Sequence, residues 1–250
     1  PLDIRSLSID EANGLIAILD GSIDEEYYRA VEAISLRRVN TGDLRVVYSP
    51  QHGTGNIPVR HVLADLGCDV VPVEKQCTPD PDFSATKSPN PESPLAYEAA
   101  LELADKVNAD IVITTDPDCD RLGVAARDSN GTLKLMTGNQ SGAVLIEYIL
   151  STHRSRGTMP ERAVMVNTIV TSDLGDRICE SYGVKVEKTL TGFKFIGERI
   201  ARHLAMHDAN YVFGYEESYG CLIGDFVRDK DAVQASLMLC EAAAYYKEHG

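Results

Sequence analysis

Three aspartates at alternate positions, Asp116, Asp118 and Asp120, followed at once by Arg121, carry the densest chemical signal in this chain. They come directly after the apolar run Ile111–Thr114, so they stand on a turn at the carboxyl end of a strand, where layered α/β domains place their ligands. Three carboxylates converging on one point repel one another unless a cation sits between them, and hard oxygen donors suit Mg²⁺. The competing reading is a solvated acidic turn, against which the strand and Arg121 both argue. The mid-loop glycine and closing glutamate of an EF-hand are missing.

A second signal, Gly214-Tyr215-Glu216-Glu217-Ser218-Tyr219-Gly220, also follows an apolar strand. Glu216 and Ser218, two residues apart on an extended loop, share a face and can accept from and donate to vicinal sugar hydroxyls. Thr191-Gly192-Phe193-Lys194 sits at a strand-to-helix turn, where a glycine admits a ligand to the backbone and a helix start favours anions. Arg228-Asp229-Lys230-Asp231 opens the last expected helix, an electrostatically poor place for Lys230 unless it serves something else. Each of these three, taken alone, is matched by an ordinary turn. His203 and His207 are expected on a solvated helix face, Ser88–Pro91 as a stiff loop, and the Cys119 thiol pointing away from the aspartates. The loop His52–Asn56 lacks nucleotide-binding spacing.

The elements that must position these residues alternate short apolar strands with amphipathic helices. Strands are expected at Leu44–Tyr48, Asp69–Val73, Ala109–Thr115 and Leu122–Ala126, with helices capped at Asp24 and running to about Asn40, at Pro58–Leu66 and at Ala96–Val107. After the turn Asn130-Gly131 the pattern restarts: helix Asn139–Leu150, strand Arg162–Thr168, a helix capped by Ser172, strand Val184–Glu187, helix Phe195–Met206, strand Asn210–Tyr215 and a helix from Lys230. Two similar α/β units result, 1–134 and 135–250.

With 24 Lys and Arg against 38 Asp and Glu, the net charge of −14 disfavours nucleic acid and anionic membrane surfaces as partners. No apolar run reaches the ~18 residues that span a bilayer. Six scattered cysteines without a CxxC pair fit reduced thiols in the cytoplasm. The first residue is Pro1, which fits a piece of a longer chain.

Read in order, these loops resemble the α-D-phosphohexomutase superfamily, and within it the phosphoglucomutases. The family's metal loop DxDxDR is matched by Asp116, Asp118, Asp120 and Arg121; its sugar loop GEESxG by Glu216, Glu217, Ser218 and Gly220, with Tyr215 in place of the leading glycine. Its TG(F/W)K turn is matched by Thr191–Lys194 and its R-(D/E)-K-D segment by Arg228–Asp231. The family's Ser-His-Asn-Pro and Arg-x-Ser-Gly-Thr motifs do not occur, so the likeness is to its second and third domains only: two consecutive three-layer α/β/α domains with mixed sheets.

The resemblance implies a phosphoserine on an absent first domain that exchanges a phosphoryl group with glucose 1-phosphate or glucose 6-phosphate by way of glucose 1,6-bisphosphate. It further implies Mg²⁺ on Asp116, Asp118 and Asp120; phosphate or phosphoserine contact by Arg121; proton transfer or phosphate contact by Lys230; and sugar-phosphate binding by Glu216, Ser218, Thr191, Gly192, Lys194 and Arg228. The partners it implies are a small phosphosugar and the missing first and fourth domains. Phosphomannose or phosphopentose specificity is an alternative within the family. A haloacid dehalogenase-type phosphatase, with Asp116 as nucleophile, and a non-catalytic module binding metal or sugar phosphate are alternatives outside that reading.

Overall fold

A computed structural model of the chain describes residues 6–37 and 39–249. The ends of the two expected units and Arg38, inside the helix expected to reach Asn40, lie outside the described residues. In chain order the elements are α1 (Ile9–Ala12), α2 (Ser22–Glu32), β1 (Arg45–Ser49), α3 (Asn56–Leu66), β2 (Asp69–Pro72), α4 (Glu98–Val107), β3 (Ile111–Thr115), β4 (Leu122–Arg127) and β5 (Leu133–Met136). They continue as α5 (Gly138–Arg156), β6 (Ala163–Thr168), α6 (Asp173–Tyr182), β7 (Lys185–Thr189), α7 (Phe193–Met206), β8 (Asn210–Tyr215), β9 (Cys221–Leu222) and α8 (Ala232–His249).

The strands form two mixed sheets, ordered β2-β1-β3-β4-β5 and β7-β6-β8-β9. In each sheet the first three strands of that order pair in parallel and every later pairing is antiparallel. The middle strand of the parallel three, β1 or β6, is the first of its unit in both, so each sheet has a switch point, between β1 and β3 and between β6 and β8. The loops leaving β3 and β8 therefore occupy equivalent places, and those loops hold the aspartates and the Glu216–Gly220 segment.

Burial explains why the strands read as continuous apolar runs. Val47, Val112 and Ala125 pack with Ala100 and Ala104 of α4 on one face of the first sheet. Val164 and Val166 pack with Ile196 and Ile200 of α7 on one face of the second. The opposite faces share one cluster, in which Val46, Ile113 and Val124 of the first sheet join Met165 and Phe213 of the second through α3, α5 and α8. Thus α8, last in sequence, packs against α3 of the first unit.

Several expected boundaries move for physical reasons. β5 carries the first sheet to Met136, two residues beyond the expected division, and Thr137 then opens α5 with a capping box to Gln140. α8 begins at Ala232 because Asp231 caps it, accepting from the backbone N–H groups of Val233 (2.9 Å) and Gln234 (3.1 Å). Lys230 precedes that cap, and its conflict with the helix dipole is offset by the carboxylates of Asp120 and Asp229 at its ammonium. α2 starts at Ser22, before Asp24, and ends at Glu32. His203 is buried, not solvated, with Nδ1 2.6 Å from Asp208 and Nε2 3.1 Å from Glu187 on β7. No helix among the described residues is long and apolar enough to cross a membrane.

Candidate functional site

The aspartate loop is a tight turn built around Asp116, which is 1% exposed. One of its oxygens accepts the backbone N–H groups of Asp120 (3.1 Å) and Arg121 (2.9 Å); the other accepts Arg121 Nε at 2.6 Å. Burial pushes its carboxyl up to about 6, with the Arg121 backbone and side chain opposing. Cys119 turns the corner with φ +60°, and its Sγ lies where a Cβ on Gly55 would stand, 2.7 Å away. Burial keeps that thiol far above its ordinary pKa, so it is protonated. One oxygen from each of Asp116, Asp118 and Asp120 falls within 4.8 Å of the others, an all-oxygen set that fits a hard divalent cation.

The loop after β1 holds this turn from behind. Thr54 N–H donates to the Pro117 carbonyl at 2.8 Å, and a Cβ on Gly53 would lie 2.5 Å from that oxygen and 2.7 Å from its carbon. The loop Gly53–Gly55 is thus the support for the aspartates, which explains its glycines without a nucleotide. His52 Nδ1 sits 2.8 Å from the Thr78 carbonyl and fastens the long proline-rich loop to the same place.

The Glu216–Gly220 loop lies against the aspartate loop. Arg121 and Gly220 form an antiparallel bridge, and Leu122 N–H donates to the Tyr219 carbonyl at 3.1 Å. Glu216, 8% exposed, accepts the Gly192 N–H at 2.9 Å, which joins the Thr191-Gly192 turn to the same cluster. Burial raises the Glu216 pKa, opposed by the Gly192 N–H and the Lys230 charge. Glu217 turns elsewhere and accepts the hydroxyls of Thr168 (3.2 Å) and Thr171 (3.1 Å). Ser218 is half-buried at the tip of the turn.

Lys230 links the two loops. Its Nζ is 3.0 Å from Asp120 and 2.9 Å from Asp229, and its stem crosses Gly220, where a Cβ would meet Cγ at 2.8 Å. Burial alone would depress its pKa, but Asp229 and Asp120 raise it, so the ammonium keeps its proton at neutral pH. Lys194 and Arg228 stand apart from this arrangement: Lys194 Nζ lies 5.1 Å over the Phe195 ring, and the exposed Arg228 donates to the carbonyls of Asp225 and Val227.

Sequence reasoning placed Asp231 in the Arg228–Asp231 segment but missed its part in the site: its buried carboxylate also accepts Tyr27 Oη at 2.8 Å, while Ala232 N–H donates to Cys119 O at 3.1 Å. It also missed Glu92, 2.9 Å from Arg121 Nη1. The run Pro91-Glu92-Ser93-Pro94 was the available signal, since an acid between two prolines is rigidly presented.

Two α/β units with matching switch-point loops, one triply acidic and one carrying Glu216 and Ser218, define an architecture that comparison with known proteins places. Residues 25–131 match the family model described as phosphoglucomutase/phosphomannomutase, alpha/beta/alpha domain II, and residues 137–249 match that for domain III. The chain belongs to the phosphoglucomutase/phosphomannomutase family. It is 38% identical over 252 aligned residues to a phosphoglucomutase of Staphylococcus epidermidis, covering 100% of this chain and 45% of that protein. The chain thus spans less than half the length of this relative.

Among solved structures, a phosphoglucomutase/phosphomannomutase family protein from Burkholderia thailandensis shares the fold with a TM-score of 0.69 and 19% identity, over 89% of this chain and 44% of that one. Aspergillus fumigatus N-acetylphosphoglucosamine mutase in complex with GlcNAc-6P and magnesium gives a TM-score of 0.59 and 16% identity, over 89% of this chain and 51% of that one. A serine-to-alanine variant of the same fungal enzyme in complex with glucose 1,6-bisphosphate gives 0.54 and 18%, over 86% and 42%.

Proposed function

We propose that this chain supplies the metal-binding and sugar-binding domains of a phosphoglucomutase that interconverts glucose 1-phosphate and glucose 6-phosphate. The observation that carries the reading is the Arg121–Gly220 bridge with Lys230 across it, because it brings the acidic loop and the Glu216 loop to one place. The name of the 38% identical relative supports glucose, and the magnesium and glucose 1,6-bisphosphate complexes of the fungal enzyme support both ligands. The two domains divide between Met136 and Thr137, and the six free thiols favour a reducing compartment such as the cytoplasm.

Asp116, Asp118 and Asp120 hold the cation. When bound, Mg²⁺ offsets charge on the transferring phosphoryl group, whose transfer rests mostly on positioning and electrostatics. Glu216, fixed by the Gly192 N–H, accepts sugar hydroxyls, with Ser218 and Thr191 beside it. Lys230, held protonated by its two aspartates, acts as a cation toward phosphate or as a proton donor, not as a base. Lys194 and Arg228 reach the sugar phosphate only by leaving their present partners. The phosphoserine belongs to a domain outside these residues. An aspartyl nucleophile at Asp116 is disfavoured, since both of its oxygens already accept hydrogen bonds from Arg121.

A coupled assay tests the reading. The longer enzyme carrying this chain should convert glucose 1-phosphate to glucose 6-phosphate with Mg²⁺, and the pure 250-residue chain should not, because it has no Ser-His-Asn-Pro donor. Turnover by the pure chain, or none by the longer enzyme, contradicts it.

A further inference from the structure

Arg121 presents a difficulty for any cation at the aspartate loop, because it already competes for the same oxygens. Its Nε lies 2.6 Å from Asp116 Oδ2 and 3.6 Å from Asp120 Oδ1. Its Nη1 is held on the other side, 2.9 Å from Glu92 Oε1 and 3.4 Å from Asn90 Oδ1. The segment that offers these acceptors is firmly built. Asn90 Oδ1 accepts the Glu92 N–H at 3.0 Å, the Asn90 carbonyl accepts Ser93 N–H at 2.9 Å, and the Pro91 carbonyl accepts the buried Tyr97 hydroxyl at 3.0 Å. Gly123 of β4 makes room for Tyr97 and Pro91, so the platform rests on the strand that leaves the aspartate loop.

We propose that Glu92 is a positioning residue: by holding Nη1 it shares the Arg121 guanidinium between two loops and limits its competition with a divalent cation for Asp116 and Asp120. The inference rests on the metal reading above and adds to it a role for a loop expected only to be stiff. Glu92 is about half exposed (46%) and Arg121 27% exposed, so the effect is that of a partly screened ion pair.

Calorimetric titration of Mn²⁺ into the 250-residue chain tests this, using wild type, Glu92→Gln, Glu92→Asp, Arg121→Gln and the double variant Glu92→Gln/Arg121→Gln. Glu92→Gln is expected to weaken Mn²⁺ binding about threefold to fivefold with little change in melting temperature. Glu92→Asp, which keeps the charge but shortens its reach, is expected to weaken it similarly. In the Arg121→Gln background the Glu92 effect should vanish, as a double-mutant cycle requires of coupled groups. Equal affinity in wild type and Glu92→Gln overturns the inference, as does a loss that persists without Arg121, which would be the field of the Glu92 charge alone. A wild-type chain that binds no Mn²⁺ overturns the metal reading and this inference together.

Discussion

Asp118→Asn should weaken Mg²⁺ binding at least about 100-fold in a calorimetric titration of this chain, since even partners outside the direct ligand set cost 10–100-fold when lost. Asp118 is the exposed member of the three, and among the described residues it accepts no protein hydrogen bond, so its removal takes a charge without unpicking the turn. That distinguishes it from Asp116, whose loss would also release Arg121. The melting temperature of the metal-free variant should stay near that of wild type. In wild type the same titration should depend on pH. Asp116, pushed up to about 6, must lose its proton before it can serve as a ligand. Affinity should therefore fall about tenfold per pH unit below 6 and level off above it. Unchanged affinity in Asp118→Asn refutes the ligand set, and a flat profile from about pH 5 to 7 refutes the role of buried Asp116.

Gly53→Ala should be a strongly damaging single-methyl change behind the aspartate loop. The added Cβ meets the Pro117 backbone, 2.5 Å from its carbonyl oxygen, and backbone cannot swing aside as a side-chain end can. Overpacking of this kind costs about 3 kcal/mol, or roughly 6–12 °C of melting temperature in a chain of this size. Because the displaced atom belongs to the turn between Asp116 and Asp118, Mg²⁺ affinity should fall with stability. An alanine variant with wild-type melting and wild-type affinity would show that the loop after β1 does not support the aspartates.

What was legible in the sequence was the local chemistry with a fixed spacing. Asp116, Asp118 and Asp120 announce themselves because three acids in five positions after an apolar strand have few other uses. The strands were legible because buried parallel strands are continuous runs of apolar residues, as Val46–Tyr48 and Val164–Val166 are. β5 was not, because Leu133-Lys134-Leu135-Met136 is a short edge strand with its lysine and Leu135 outside, and only its pairing with β4 defines it. The burial of His203 does not show in its sequence because its ion pairs come from Glu187, sixteen residues away in another element, and from Asp208 beyond the helix end. The same limit hid the roles of Glu92 and Asp231. Their partners, Arg121 and Tyr27, lie 29 and 204 residues away, and one chain shows no trace of such pairings. The resemblance could name Arg121 and Lys230, but not what holds them.

The central claim is that the aspartate loop holds a cation with the Glu216–Gly220 loop and Lys230 lying beside it at one site. Paramagnetic broadening by Mn²⁺ of the amide resonances of the labelled chain tests it most directly. Amides of Asp116, Asp118–Arg121, Tyr219, Gly220 and Lys230 should broaden together at substoichiometric Mn²⁺, and those around Glu32, His61 and Asp65, the other group of close metal-capable side chains among the described residues, should not. Broadening centred on that second group, or confined to the aspartate loop with Tyr219–Gly220 and Lys230 unaffected, would contradict the account.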